Sequence, residues 1–191
     1  MRLPSKLSMI RSMATLRLRP FEASKLHLVE PWFDDAETQR WLGGPGWPRQ
    51  MLNLMTLPLG EHRGAGETGR FSWLAWEQEE AVGFIGCGTY DRWTTWEGGE
   101  GGRGVISVIP VPSASISCVV DPALRGRGQC TRMIMELMTQ PELAQICLFA
   151  AGVEPDNLAS ISCLVSAGFE PLDAEPDWEG MVYYVNRRAS G

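Results

Sequence analysis

The sequence predicts an α/β (α+β) fold with elements in the order β-α-α-β-β-β-α-β-α-β-β. Short runs rich in apolar and β-branched residues are typical of strands, whereas apolar residues spaced three or four apart are typical of helices. Both patterns occur along the chain and alternate. The hydrophobic fraction is 44% over 191 residues, which is enough for one sizeable core but leaves little room for two. We therefore expect a single domain over residues 13–191.

The first half of the chain contains a strand, a helical region and a hairpin. Apolar and basic residues alternate before Pro20, which favours a strand with one buried face. In chain order, the expected elements are a strand at 15–19, two short helices within 21–42, a further helix at 49–57, and strands at 71–76 and 81–90. The polar connector 77–80 between these strands is typical of an antiparallel hairpin. The glycine-rich segment 98–104 is predicted to be a mobile loop.

The second half alternates strands and helices more clearly. Its expected elements are a strand at 113–120, a helix at 128–138, a strand at 145–153, a helix at 157–167 and a final pair of strands at 169–172 and 180–185. Gly168 is expected to end the second of these helices. The segment 173–177, rich in turn-forming residues, separates the last two strands.

Charge and composition exclude several classes of protein. The net charge is −6 and the pI is near 5.0, whereas a general nucleic-acid-binding protein needs a basic face. A cationic partner suits this chain better. The five cysteines have no CxxC spacing, which predicts a reducing, cytoplasmic environment. Neither His27 nor His62 has a second ligand at metal spacing, so we predict no metal site.

The N-terminus is predicted to be a flexible extension over residues 1–12. It contains no continuous apolar stretch, so neither a signal peptide nor a membrane anchor is expected. Met13 directly precedes the first predicted strand and is an alternative translation start.

The segment 119–130 is the first to suggest a function, because a strand ends there, the chain turns, and a helix begins. The turn carries Arg-Gly-Arg-Gly at 125–128. Backbone N–H groups at a helix start lack partners within the helix and lie at the positive end of its dipole, so a pyrophosphate fits there. A surface turn with solvated arginines has the same composition. The dinucleotide-binding and P-loop fingerprints match less well or not at all.

A second motif lies downstream, where Asn157 and Ser160 begin a predicted helix that Gly168 and Phe169 follow. Taken together, the two motifs resemble those of the GNAT superfamily of acyl-CoA-dependent N-acyltransferases, in the branch of ribosomal-protein N-terminal and aminoglycoside acetyltransferases. The N-x-x-S/A and GF pattern of that family is matched by this second motif.

The pyrophosphate motif of the family, R/Q-x-x-G-x-G/A, is matched by Arg125 and Gly128 and, less well, by Cys130. The spacing between the two motifs and the strands between them also agree. The resemblance covers residues 15–187. It implies a mixed, mostly antiparallel central sheet flanked by helices, and acetyl-CoA as the co-substrate.

The resemblance also assigns the cofactor contacts. Backbone N–H groups of 125–130 would hold the pyrophosphate, and the strand edge at Cys118 and Val120 would pair with the pantetheine arm. Asn157 would hydrogen-bond to the pantetheine, although a plain helix N-cap is the alternative for this residue. The expected cofactor-binding residues are Cys118, Val119, Val120, Arg125, Gly126, Arg127, Gly128, Gln129, Cys130, Asn157 and Ser160.

The expected reaction is direct attack on the acetyl thioester by a primary amine of a small molecule or of a protein N-terminus. Backbone N–H groups near Val119 and Val120 would polarise the carbonyl. Many relatives carry a tyrosine seven residues after the motif asparagine as the general acid, but this chain has Leu164 there. The remaining catalytic candidates are Tyr90, Asp91, Tyr183 and Tyr184. Catalysis by positioning alone is the alternative.

The acceptor end is expected near the two opening helices and the loops that follow. Tryptophans and acids cluster there, namely Trp32, Trp41, Trp47, Trp93, Trp96, Asp34, Asp35, Glu37 and Glu97. Aromatic rings beside carboxylates suit a cationic amine. Because the usual tyrosine and a central-strand glutamate are missing, a non-catalytic acyl-CoA-binding sensor or assembly module is the alternative function. The oligomeric state is open, with a homodimer as one candidate.

Overall fold

The computed structural model describes residues 15–188. The predicted extension over 1–12 and the alternative start at Met13 therefore lie outside the described residues.

The described part of the chain contains ten strands and five α-helices joined by turns and short 3-10 segments. In chain order these are β1 (Leu16–Pro20), α1 (Leu26–Val29), α2 (Ala36–Leu42), α3 (Trp47–Leu54), β2 (Glu61–His62), β3 (Ala65–Glu77), β4 (Glu80–Tyr90), β5 (Trp93–Glu97), β6 (Gly104–Ile109), β7 (Ser113–Val120), α4 (Gln129–Leu137), β8 (Leu148–Val153), α5 (Leu158–Ser166), β9 (Glu170–Pro171) and β10 (Val182–Arg187). The predicted mixed fold, with a mostly antiparallel sheet flanked by helices, is confirmed.

The central sheet has the strand order β1-β3-β4-β7-β8-β10-β9, with the short β2 paired to β3. Neighbouring strands are antiparallel except for β7 and β8, which are parallel because α4 carries the chain back between them. Their ladder is short: residues 113–115 of β7 pair with 148–150 of β8. After Ser115 the two strands separate, and the rest of β7 pairs with β4 alone among the described residues.

Helices cover both faces of the sheet. On one face, α4 and α5 pack Met133, Leu137 and Leu164 against the inward residues of β4 and β8. On the other face, α1, α3 and the segment between them pack against β3 and β4. Phe84 of β4 is central to this second cluster, with the rings of Phe21 and Trp47 edge-on to it at 5.1 and 5.3 Å. The amphipathic patterns in the sequence are therefore explained by a three-layer packing.

The predicted element order was incomplete in the middle of the chain. The segment 98–104, predicted to be a mobile loop, is the turn of an antiparallel hairpin formed by β5 and β6. Strand β3 begins at Ala65, well before the predicted position 71, and contains an irregularity between Glu67 and Gly69. In β3, Gly66 and Gly69 interrupt the side-chain alternation that marks a strand, although the backbone stays extended.

No helix within residues 15–188 combines the length and the apolar character needed to cross a membrane.

Replacing Phe84 by alanine tests the packing of the second cluster. The substitution leaves a cavity between two aromatic rings, so the free energy of unfolding should fall by about 3–5 kcal/mol in urea denaturation. Val165→Ala on the exposed side of α5 is the control and should change it by less than about 0.5 kcal/mol. Equal effects of the two substitutions would contradict this packing.

Candidate functional site

A cleft of about 520 Å³ opens where β7 and β8 separate. Its long walls are the edge of β7 from Ile116 to Val120 and the facing part of β8 from Ala151 to Val153. The turn before α4 and the first turn of α5 close one end, and α2 lies along the side. A strand edge without a ladder partner offers N–H and C=O groups to an extended ligand, so the cleft suits a pantetheine arm.

The turn into α4 is held in a conformation that presents backbone N–H groups. Asp121 accepts a hydrogen bond from the N–H of Ala123 at 2.9 Å, which fixes the start of the turn. Gly126 and Gly128 have φ of 73° and 74°, a left-handed conformation that side chains disfavour. Gly128 is the N-cap of α4 and provides no side-chain acceptor, and the first turn contains no acidic residue. The first N–H groups of α4 therefore suit an anion such as a pyrophosphate.

The two arginines of this turn, Arg125 and Arg127, have different environments. Arg125 donates to Asp35 and Glu37, each at 2.7 Å, so its guanidinium ties the turn to α2. The pKa of Asp35 is lowered by its hydrogen bond from the N–H of Thr38 and by Arg125, which keeps the carboxylate charged. Arg127 is exposed and does not line the cleft. Its side chain can approach a phosphate only from the solvent side.

Gln129 can offer only its backbone N–H group to a ligand in the cleft, because its side chain is hydrogen-bonded within the protein. The side chain is buried and donates to Glu77 of β3 at 2.8 Å, and Glu77 also accepts from Arg132 at 2.8 Å. These hydrogen bonds lower the pKa of Glu77, the one from Arg132 having the larger effect. They attach the start of α4 to the sheet.

Asn157 and Ser160 both lie in the cleft. The Asn157 side-chain oxygen accepts from the N–H of Ser160 at 3.1 Å, so Asn157 is the N-cap of α5. Its side-chain NH₂ group forms no hydrogen bond within residues 15–188 and can be offered to a ligand. The capping and ligand-binding interpretations of Asn157 are therefore compatible.

Three thiols line the same cleft, those of Cys118, Cys130 and Cys163. The sulfur atoms of Cys118 and Cys130 are 3.1 Å apart. This contact, together with burial, raises the pKa of Cys130, and the contact with Cys130 raises the pKa of Cys163. Both thiols are consequently protonated at neutral pH and are poor nucleophiles.

A second cavity, of about 740 Å³, lies between the β5–β6 hairpin and the segment before β10. Tyr90, Trp93 and Tyr183 line it together with Ser115, the residue at which β7 and β8 separate. The next residue along β7, Ile116, lines the first cleft, and Met181 lines both. The two cavities thus meet at the same point of the sheet.

The structure separates the catalytic candidates. Tyr90 and Tyr183 line the second cavity, whereas Asp91 does not. Asp91 accepts from the N–H of Gly66 at 3.0 Å and forms an ion pair with Arg92, and Arg92 lowers its pKa. This exposed carboxylate therefore connects two strands at the sheet edge. Tyr184 packs against the core and lines neither cavity.

The predicted group of tryptophans is divided among three environments. Trp32 and Trp47 are buried in the core between the helices and the sheet, so they do not form an acceptor site. Trp41 lines the first cleft, and Trp93 and Trp96 line the second cavity. The sequence pattern could not separate these cases, because the environment of each tryptophan depends on the elements that pack over it and not on its neighbours along the chain.

Several residues of both cavities were not among the sequence candidates. In the first cleft they are Thr38 and Leu42 of α2, Thr131 and Ile134 of α4, and residues 151–153 of β8. In the second cavity they include His62, Arg63 and the segment 172–178. The acidic turn at 173–177 was visible in the sequence, but its position over the cavity depends on the pairing of β10 with β8.

Residues 15–170 match the family model of the acetyltransferase (GNAT) domain. The chain belongs to the GNAT acetyltransferase family. The resemblance drawn from the two motifs is thereby confirmed.

A curated relative, the uncharacterized N-acetyltransferase YfmK of Bacillus subtilis strain 168, is 33% identical over 72 residues, which are 38% of this chain and 49% of that protein. The match thus spans about half the length of that GNAT relative.

Solved structures of GNAT proteins share the fold. The aminoglycoside acetyltransferase AAC(6')-Ib in complex with coenzyme A is 17% identical, with a TM-score of 0.64 over 91% of this chain and 95% of that one. The ribosomal L7/L12 alpha-N-protein acetyltransferase RimL in complex with coenzyme A is 19% identical, with a TM-score of 0.63 over 91% and 94%.

Gly128→Ala tests the role of the turn before α4. A Cβ at residue 128 would meet no atom within 4 Å, but the left-handed conformation costs about 1–2 kcal/mol for alanine. We expect the turn to relax and acetyl-CoA affinity, measured by calorimetry, to fall by about tenfold. Gly101→Ala, at a φ of 82° and in equally open space, is the matched control and should leave affinity unchanged. Equal affinities of the two variants would contradict this role.

Proposed function

We propose that the protein is an N-acetyltransferase that transfers an acetyl group from acetyl-CoA to a primary amine. The observation that carries this proposal is the end of the β7–β8 ladder at Ser115. From that point a cleft leads to the N-terminus of α4, and a second cavity begins beside it. One cavity suits the cofactor and the other the acceptor, so the thioester and the amine can meet between them.

The residues around the first cleft fit acetyl-CoA, which supplies the activated acetyl group when bound. Backbone N–H groups from Gly126 to Cys130 would hold the pyrophosphate. The edge of β7 at Cys118 and Val120 would pair with the pantetheine arm, and the free NH₂ group of Asn157 would donate to it. The known complexes of AAC(6')-Ib and RimL with coenzyme A support this assignment.

The transfer is proposed to be direct. The amine nitrogen attacks the thioester carbon, the C–S bond breaks, and its electron pair goes to sulfur. Backbone N–H groups of β7 beside Ser115 and Ile116, where the two cavities meet, would stabilise the oxygen of the tetrahedral intermediate. The N–H groups near Val119 and Val120, which were predicted to polarise the carbonyl, lie at the other end of the cleft, beside the turn proposed to hold the pyrophosphate. An acyl-cysteine intermediate on Cys130 or Cys163 is disfavoured because both thiols have raised pKa values and stay protonated.

The charges of the second cavity favour a cationic acceptor. Arg63, Arg92 and Arg103 each form an ion pair with a carboxylate, namely Glu179, Asp91 and Glu97. Asp173 and Glu175 also line the cavity, and neither forms an ion pair within the described chain. The second cavity therefore carries more negative than positive charge. Aminoglycosides, which are the substrates named for several structural relatives, carry the complementary positive charge, as do polyamines and the N-terminal amine of a peptide.

We also propose a cytoplasmic location and a homodimer. The five cysteines are free thiols, which suits a reducing compartment. Exposed apolar side chains occur on the segment 54–59 and on β6, including Leu57, Leu59 and Ile106, and such residues can be covered in a dimer.

Acetyl-CoA binding and turnover test the proposed function together. Acetyl-CoA should raise the melting temperature, and thiol release should occur with at least one amine among spermidine, kanamycin, ribostamycin and an N-terminal peptide. Binding without release for every amine would instead favour the non-catalytic sensor or assembly module. No binding would overturn both functions.

Removing the unpaired acids tests the charge of the acceptor. Asp173→Asn and Glu175→Gln each delete one negative charge worth about 0.5–1 kcal/mol at an exposed site, so KM for spermidine should rise about two- to fivefold per substitution. Glu170→Gln on β9, outside both cavities, is the control. If the three variants have the same KM, the acceptor is not selected by these carboxylates.

A further inference from the structure

The side chain of Tyr90 extends back along β4 and lies over Gly88. A Cβ on Gly88 would be 2.8 Å from the Tyr90 hydroxyl oxygen, so the hydroxyl occupies space that only glycine leaves open. Gly88 pairs with Ser115 of β7, and Ser115 pairs with Ala150 of β8. Paired residues have their side chains on the same face of a sheet. The hydroxyl is therefore on the acceptor face, beside the point where β7 and β8 separate.

The Tyr90 hydroxyl is free to act on a ligand. It forms no hydrogen bond within residues 15–188, and it lines the second cavity together with Ser115. Burial raises the pKa of Tyr90, and the nearby carboxylate of Glu67 raises it further. The ionisable groups around it are His62, Arg63, Glu67, Arg70 and Cys87. At neutral pH the phenol is consequently protonated and is a proton donor rather than a base.

The other two tyrosines of the chain are less suited to this role. The chain has three tyrosines in all. The hydroxyl of Tyr183 accepts from Arg63 at 3.2 Å, and Arg63 is held in turn by Glu179. Tyr184 lies in the core. At the position of α5 where many relatives carry a tyrosine, this chain has Leu164, which is buried in the core.

On the basis of the proposed acetyl transfer, we propose that Tyr90 is the general acid that protonates the leaving sulfur from the acceptor side of the sheet. As the amine nitrogen bonds to the carbonyl carbon, the C–S bond breaks and its electron pair goes to sulfur. The Tyr90 proton neutralises that sulfur as a thiol. The amine nitrogen gives one proton to water, and water returns one proton to the phenolate. The sum is one amide and one free thiol.

Tyr90→Phe removes the hydroxyl and leaves the ring. With acetyl-CoA and spermidine, or kanamycin if spermidine is not turned over, kcat should fall about 100-fold, with KM for both substrates unchanged. The wild-type rate should fall at alkaline pH, as the phenol loses its proton, and this alkaline fall should be absent in Tyr90→Phe, whereas the fall toward acid pH, caused by protonation of the acceptor amine, should occur in both. Tyr184→Phe is the matched control and should retain the wild-type rate.

A second measurement keeps the ring and the hydroxyl of Tyr90. In the double variant Tyr183→Phe, Tyr184→Phe, Tyr90 is the one tyrosine left, and it can be replaced by 3-fluorotyrosine, whose phenol is more acidic. The alkaline fall of kcat should then move to lower pH. An unmoved profile, or Tyr90→Phe within threefold of wild type, would overturn the assignment while leaving the proposed function intact. A rise in KM for the amine with unchanged kcat would also overturn it, because Tyr90 would then only bind the acceptor. A wild-type enzyme without turnover would overturn the proposed function and the assignment together.

Discussion

The short parallel ladder between β7 and β8 is the constraint on which both cavities depend. A parallel pair needs a crossover connection, and here α4 and its preceding turn form it. Because pairing ends at Ser115 and Ala150, the same crossover that joins the strands also places the N-terminus of α4 over the gap between them. The strand edge and the helix N-terminus consequently line the same cleft. Both offer backbone groups that have no partner within their own element.

The side chains around this gap hold the backbone of the turn and of α4 in place, and the backbone itself offers the groups that would bind the ligand. Gln129 and Arg132 attach α4 to Glu77 of β3, and Arg125 attaches the turn to α2. These contacts hold the turn from both sides of the sheet. Gly126 and Gly128 supply the left-handed conformations between the fixed points. Arg125 therefore acts by fixing the turn against α2, and α2 forms a side wall of the first cleft.

The sequence was most informative where function depends on local backbone geometry. The turn at 125–128 and the cap at Asn157 were predicted because glycine and asparagine have specific conformational roles there. The second cavity, which is the proposed acceptor site, was predicted only in part. Trp93, Trp96 and Glu97 were expected near the acceptor and line this cavity, but its other wall is formed by residues 172–181, which meet the β5–β6 hairpin only through tertiary packing. Likewise, Trp47 and Trp93 are equally buried, yet only Trp93 also lines the second cavity, a difference set by the elements that pack around each ring.

The first cleft offers backbone N–H groups, the second cavity offers carboxylates, and the centre between them is uncharged; this arrangement explains how the amine can react although β7 contains no carboxylate. The cofactor end has the positive end of α4, and the acceptor end has Asp173 and Glu175. Between them are Ser115 and the protonated phenol of Tyr90. An ammonium that moves from the acidic rim toward this centre loses solvation and ion pairing, which lowers its pKa. It therefore reaches the thioester more readily as the neutral amine, the form that can attack.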